Sequence, residues 1–167
     1  NYPISPNTYS NVNSGQFIHK LDSTLSTTMF STQFGAGNGT PDIVPSAFLV
    51  DNCKSIYISG WGGTLGGFNG STSTTNGMPI TPLSAFQSTT DGSDFYFASF
   101  KQNAATLDYA TFFGGPVSQE HVDGGTSSFD KTGVIYQSIC SSCGANQDMP
   151  TTSSAWSQTN NSNNCNN

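Results

Sequence analysis

A chain of 167 residues with only 8% charged residues, four Lys, no Arg and a net charge of −6 offers no basic footprint for a phosphate backbone or an anionic membrane surface. No run of 18 apolar residues exists to span a bilayer. Ser, Thr, Asn and Gly dominate and predict almost no helix, while 12 Phe, 6 Tyr and 2 Trp supply too much buriable area for a disordered chain.

The chain opens on the phrase Tyr2-Pro3-Ile4-Ser5-Pro6, which leads to Tyr9. Runs rich in aromatic and β-branched residues follow at 17–21 and 28–34 and predict a hairpin. A second hairpin joins a strand ending near Asp51 to 56–61 through Asp51-Asn52-Cys53-Lys54. Residues 62–77 are of low complexity and read as a surface loop. The opening phrase then returns as Met78-Pro79-Ile80-Thr81-Pro82, leading to Phe86. Strands are predicted again at 95–100 and 107–113, and at 127–129 and 134–139 around Asp130-Lys131-Thr132-Gly133. A third copy, Met149-Pro150-Thr151-Thr152, leads to Trp156 and an Asn-rich tail.

The copies start about 70 to 80 residues apart, a period that signals one supersecondary unit stacked on its neighbours. Units are expected at about 3–78 and 79–149, with a third opening at 150–167, all within one all-β region. Each unit supplies four antiparallel strands, as a β-propeller blade does. The order is half a unit, a complete unit and half a unit. Propellers close with at least four blades and this chain carries strands for about two, so it is expected to be incomplete or to pair with other copies. A β-sandwich is the alternative architecture.

The phrases resemble SBBP-type β-propeller repeats of large surface proteins in gliding Gram-negative bacteria, which carry "FPTTPGAF", "DAFVTKLD", "LVYSTYLGG" and "VDxxGNIYVTG". The counterparts here are residues 78–86 and 149–156, 17–22, 29–35 and 50–60. The resemblance implies a non-enzymatic protein exported by the type IX system to the cell surface. Lys101 departs from it, standing where the repeat has an acidic residue, and the unit is longer than usual. Four Cys with few Lys suit an oxidising, extracellular setting as well.

The four Cys allow three pairings. Cys53 lies in a turn, about 20 Å from the strand end where Cys140 and Cys143 sit, and is expected to stay free or bond another chain. Cys165 precedes the next strand position on the same rim as Cys140 and Cys143, so a bridge from Cys165 to one of them is expected, with Cys140–Cys143 as the rival. A redox pair needs a helix that none of the residues predict, and zinc would need Cys53 to join from the wrong rim.

His19 and His121 are the only imidazoles, and no Gly-x-Ser-x-Gly elbow accompanies them. Asp91 and Asp94 could hold calcium in a loop, or only stabilise a turn; no other cofactor is expected. Trp61 with Phe68, and Trp156, could stack on sugars or anchor strand ends. Asn38, Asn69 and Asn160 open glycosylation triplets of the kind chance supplies in such a chain. The function expected is a structural or adhesive repeat at the cell surface, its partners neighbouring repeats or other copies of itself and glycans a further option. The alternatives are a lectin-like or polysaccharide-active module, for which Glu120, Asp123 and Asp148 would be the carboxylates, and a filament built edge strand to edge strand.

Overall fold

The structure is a computed structural model and describes residues 2–64, 73–122 and 127–165. Those residues are all-β, with antiparallel sheets and no α-helix. Strand β1 (Gln16–Leu21) pairs with β2 (Thr28–Phe34). Strands β3 (Val44–Val50), β4 (Ile56–Trp61), β5 (Phe95–Phe100) and β6 (Leu107–Phe113) form a four-stranded sheet in that order. Strands β7 (Ser127–Phe129) and β8 (Ile135–Gln137) make a second two-stranded sheet. None of the sheets closes on itself, and the stacking suits either a sandwich or an open array.

Three hairpin turns are built on an aspartate. Asp22 accepts from the amides of Ser26 and Thr27 at 2.8 and 3.1 Å, Asp51 from Ser55 at 2.8 Å, and Asp130 from Thr132 and Val134 at 2.7 and 3.0 Å. A side-chain carboxylate that collects turn amides replaces a backbone acceptor. The β5–β6 turn has Lys101 at this place. It forms a 3-10 turn at Gln102–Ala104 instead, with Lys101 Nζ reaching across to Asp108 at 2.9 Å. The departure at Lys101 is therefore local turn chemistry.

The four-stranded sheet is assembled from two hairpins, β3–β4 and β5–β6, joined along β4 and β5. Its central seam places Ile56 opposite Phe100, Ile58 opposite Ala98 and Trp61 opposite Phe95. These two strands are buried along most of their length because a sheet packs on each face. On one side Phe34 of β2 meets Phe100 at 5.6 Å between ring centroids, within a core that includes Ile18, Phe30, Ile56, Ile58 and Phe112. On the other, Tyr57 meets Phe129 at 5.9 Å and Ser59 Oγ donates to Gln137 Oε1 at 3.0 Å.

The proline phrases cover the outer strands. Ser5 N donates to Ser31 O of β2 at 2.8 Å, and Ser31 N donates back to the Ser5 hydroxyl at 3.0 Å. One unit on, Thr81 N donates to Ala110 O of β6 at 3.1 Å and Ala110 N donates to the Thr81 hydroxyl at 3.0 Å. A prolyl segment bonded in this way satisfies an edge while offering no further strand to add to. The third copy makes the same turn, Ala155 N to Thr152 O at 3.0 Å, but 151–154 are exposed and Trp156 is fully exposed.

Candidate functional site

Two polar clusters lie at the rim where β4 and β6 end and β5 begins. The first gathers Cys140, Cys143, Cys165 and His121. His121 and Cys140 exchange backbone bonds in both directions, at 3.1 and 2.9 Å, which sets their side chains beside one another. After Cys140 the chain reverses sharply, with Ser142 at φ 51° and Gly144 at φ 79°. The reversal brings Cys143 Sγ to 3.9 Å from Cys140 Sγ. Cys143 is joined to Cys165 by a disulfide. Of the bridge partners the sequence offered, Cys143 is therefore the one used, and Cys140 is a buried thiol instead, 4% exposed. One ligand atom each from His121, Cys140 and Cys143 lies within 4.8 Å of the others. His121 is buried, and its ring packs against Trp61 at 5.8 Å. Cys53 is an exposed thiol in its turn, as its place in the hairpin requires.

The second cluster is acidic. Asp94 and Glu120 are both fully buried, and Asp94 Oδ1 and Glu120 Oε2, which crowd together beside Gly114, have no hydrogen-bond partner among the described residues. Gln87 Nε2 donates to Asp94 Oδ2 at 3.1 Å, and Gly115 N to Glu120 Oε1 at 3.3 Å. Ser118 Oγ lies between Glu120 Oε1 at 3.2 Å and Asp148 Oδ1 at 2.6 Å, while Val117 N and Ser118 N donate to Asp148 Oδ2 at 3.1 and 2.8 Å. Burial pushes Asp94 up to about 6, with the Asp91 charge adding to it. Burial, then the neighbouring Asp94, pushes Glu120 up to about 8. Asp148 moves the other way: burial opposes it, but the Ser118 hydroxyl and the amide donors together hold the carboxylate low.

A proton held more tightly in the folded chain than in the unfolded one stabilises at low pH. The contribution from this pair is therefore complete below about pH 4, where the unfolded carboxyls are also protonated, and is lost as pH rises through about 6 for Asp94 and about 8 for Glu120. We expect the melting temperature to fall steadily between about pH 5 and 9, and the lower part of that slope to flatten in Asp94→Asn. A melting profile flat across this range would contradict the raised pKa values of the two buried carboxyls.

Asp91 and Asp94, matched in the sequence as calcium ligands, face different surroundings. Asp91 is exposed and accepts from Ser93 N at 2.8 Å, closing the turn, while Asp94 turns inward, bonded by Gln87 and crowded with Glu120 beside Gly114. Trp61 is buried and Trp156 stands free of the sheets. Phe68, Asn69 and Asp123 lie outside the described residues. His19 shares a face of β1 with Phe17 and Leu21, and that face is the exposed one: Tyr2 stacks on Phe17 at 4.1 Å and its hydroxyl bonds His19 Nδ1. His121 is the residue that sequence reasoning left out of the cysteine cluster; it reaches Cys140 through an isolated β-bridge outside the strands, for which the sequence carries no pattern.

Comparison with family models, with curated proteins and with solved structures finds no match to this chain. Among the described residues no helix is long and apolar enough to cross a membrane, and the disulfide is compatible with an extracellular protein.

Proposed function

We propose that the chain is a non-enzymatic structural or adhesive repeat of an extracellular surface protein, whose propeller-like units are completed by neighbouring units. The resemblance to SBBP-type repeats supports this reading. The observation that carries it is the seam between β4 and β5, where two sequence units share one sheet. The chain begins with the second half of such a sheet, β1–β2, and finishes its strands with the first half, β7–β8. The repeat register makes β8 the equivalent of β4 and β1 the equivalent of β5. A second seam between β8 of one unit and β1 of another would then set Tyr136 opposite Lys20, as Tyr57 stands opposite Ser99.

The surfaces agree with this. An apolar hollow of about 380 Å³, lined by Ile18, Leu21, Phe30, Phe48, Val50 and Ile56, opens between β1–β2 and β3–β4. It lies where the missing half of the first sheet would pack. The third proline phrase and Trp156 are likewise exposed where an outer strand would be covered.

Opposed residues in an antiparallel seam come within disulfide reach. In a Cys53→Ser background, Lys20→Cys combined with Tyr136→Cys is expected to give a concentration-dependent ladder of covalent oligomers on oxidation. The out-of-register pair Phe17→Cys with Tyr136→Cys is expected to give none. Monomers alone from the first pair, or equal ladders from both, would remove the seam from the proposal.

A further inference from the structure

We propose that His121, Cys140, Cys143 and Cys165 form a redox-gated zinc site, with the Cys143–Cys165 disulfide as its oxidised, metal-free state. Zinc in structural sites is bound tetrahedrally by four N and S ligands, three Cys and one His among the common sets. Zn–S bonds of about 2.3 Å place two sulfurs of one tetrahedron about 3.8 Å apart. Cys140 and Cys143 already stand at 3.9 Å, across a Cys-x-x-Cys spacing. His121 brings a nitrogen into the same space, and the disulfide delivers the fourth sulfur to it by direct attachment to Cys143.

The surroundings suit a structural site better than an open one. Cys140 and His121 are buried, and Trp61 lies against the imidazole. Ligand positions are fixed by the paired backbone of His121 and Cys140 and by the tight reversal at Ser142 and Gly144. Cys165 comes from the tail, which is tied down by Ala145 N to Asn164 O at 3.4 Å and by Asn160 Nδ2 to Asn164 O at 3.2 Å. Cys53, in a turn at the far end of β4, takes no part.

The chemistry balances with a dithiol as reductant. The Cys143–Cys165 bond takes up two electrons and two protons, and the dithiol becomes a cyclic disulfide. Zn²⁺ then displaces three thiol protons, from Cys140, Cys143 and Cys165, while His121 binds as the neutral imidazole. Exchange with the cyclic disulfide reverses the sequence: it accepts two electrons and two protons to become the dithiol, the Cys143–Cys165 bond re-forms, Cys140 regains its proton and Zn²⁺ is released.

The test uses the full chain and Co²⁺ as a spectroscopic substitute. The reduced protein should take up one Co²⁺ with thiolate-to-cobalt charge transfer and the ligand-field bands of a tetrahedral site, and Zn²⁺ should displace it. The oxidised protein should take up none. His121→Ala and Cys140→Ser should each weaken binding at least about tenfold, and Cys53→Ser should change nothing. Where a variant fails to fold, wild-type protein still decides: Zn²⁺ should slow alkylation of Cys140, Cys143 and Cys165 in the reduced chain and leave Cys53 reactive. No uptake by the reduced protein, equal uptake by the oxidised one, binding indifferent to His121 and Cys140, or alkylation unaffected by Zn²⁺ would each overturn the assignment.

Discussion

Truncating Phe100 to alanine is expected to cost about 3–5 kcal/mol, the range for removing a buried phenylalanine ring, and to be the most damaging single core change. Phe100 is fully buried at the end of β5, where three separate parts of the chain meet. Its ring touches Phe34 of β2 at 5.6 Å and Tyr9 of the first proline phrase at 5.7 Å, and its backbone lies opposite Ile56 of β4. The cavity would therefore open between two sheets, and neither could close over it without breaking its own ladder. Phe17→Ala is the contrast: its ring is on β1 but more than half exposed beneath Tyr2, and a cost under about 1.5 kcal/mol is expected. Urea denaturation of the two variants checks the difference. A loss below about 1 kcal/mol for Phe100→Ala would mean that β1–β2 is not packed on the four-stranded sheet.

The positions of the strands were legible because the chain writes each unit twice. Phe-rich runs bounded by Gly, Asn and Asp recur in one register, and a strand that is ambiguous alone is supported by its copy. The four-stranded sheet β3–β4–β5–β6 matches the complete set of four antiparallel strands expected between two half sets, but the burial of β4 and β5 on both faces was not read from their sequence. Less could be read of what surrounds each strand. Phe17, His19 and Leu21 alternate correctly, but alternation alone does not say which face is inside. The inward face of β1 is carried by Gln16 and Ile18, and Gln16 is inside because its side chain accepts from Asp42 N at 2.6 Å and donates to Ile43 O at 3.1 Å.

The clusters at the rim were half visible for the same reason. Cys-x-x-Cys and a distant Cys are patterns in the chain, and hairpin geometry correctly kept Cys53 away from them. Selecting Cys143 over Cys140 needs the reversal at Ser142, which is a backbone conformation that a serine does not announce. The acidic pair was invisible because Asp94 and Glu120 are far apart in sequence and each sits beside a more conventional explanation, a turn for the first and a polar loop for the second. Only the fold shows that both carboxyls are buried and come together beside Gly114.

Gly114→Ala should destabilise the protein by about 1–3 kcal/mol, the usual cost of forcing an extra methyl into a filled site, although the substitution adds a single carbon. A Cβ at Gly114 would overlap Asp94 Oδ1 and Glu120 Oε2, the two carboxyl oxygens that crowd the end of β6. Those oxygens belong to fully buried groups that share hydrogen bonds with Gln87, Gly115 and Ser118, so moving either one leaves a buried partner unpaired. The first unit repeats the device at the end of β2: a Cβ on Gly35 would overlap Asp42 Oδ2, which accepts from Ala36 N at 2.9 Å. Gly35 also has φ +134°, so Gly35→Ala adds backbone strain that Gly114→Ala lacks and should cost at least as much. Because the clash at Gly114 is with two buried carboxyls, both with raised pKa, its cost should depend on pH more than the cost at Gly35, where only the Asp42 carboxyl is met. Denaturation midpoints of both variants at about pH 5 and pH 9, against wild type, separate the two cases; equal pH dependence would show that the titration of Asp94 and Glu120 does not govern the cost at Gly114.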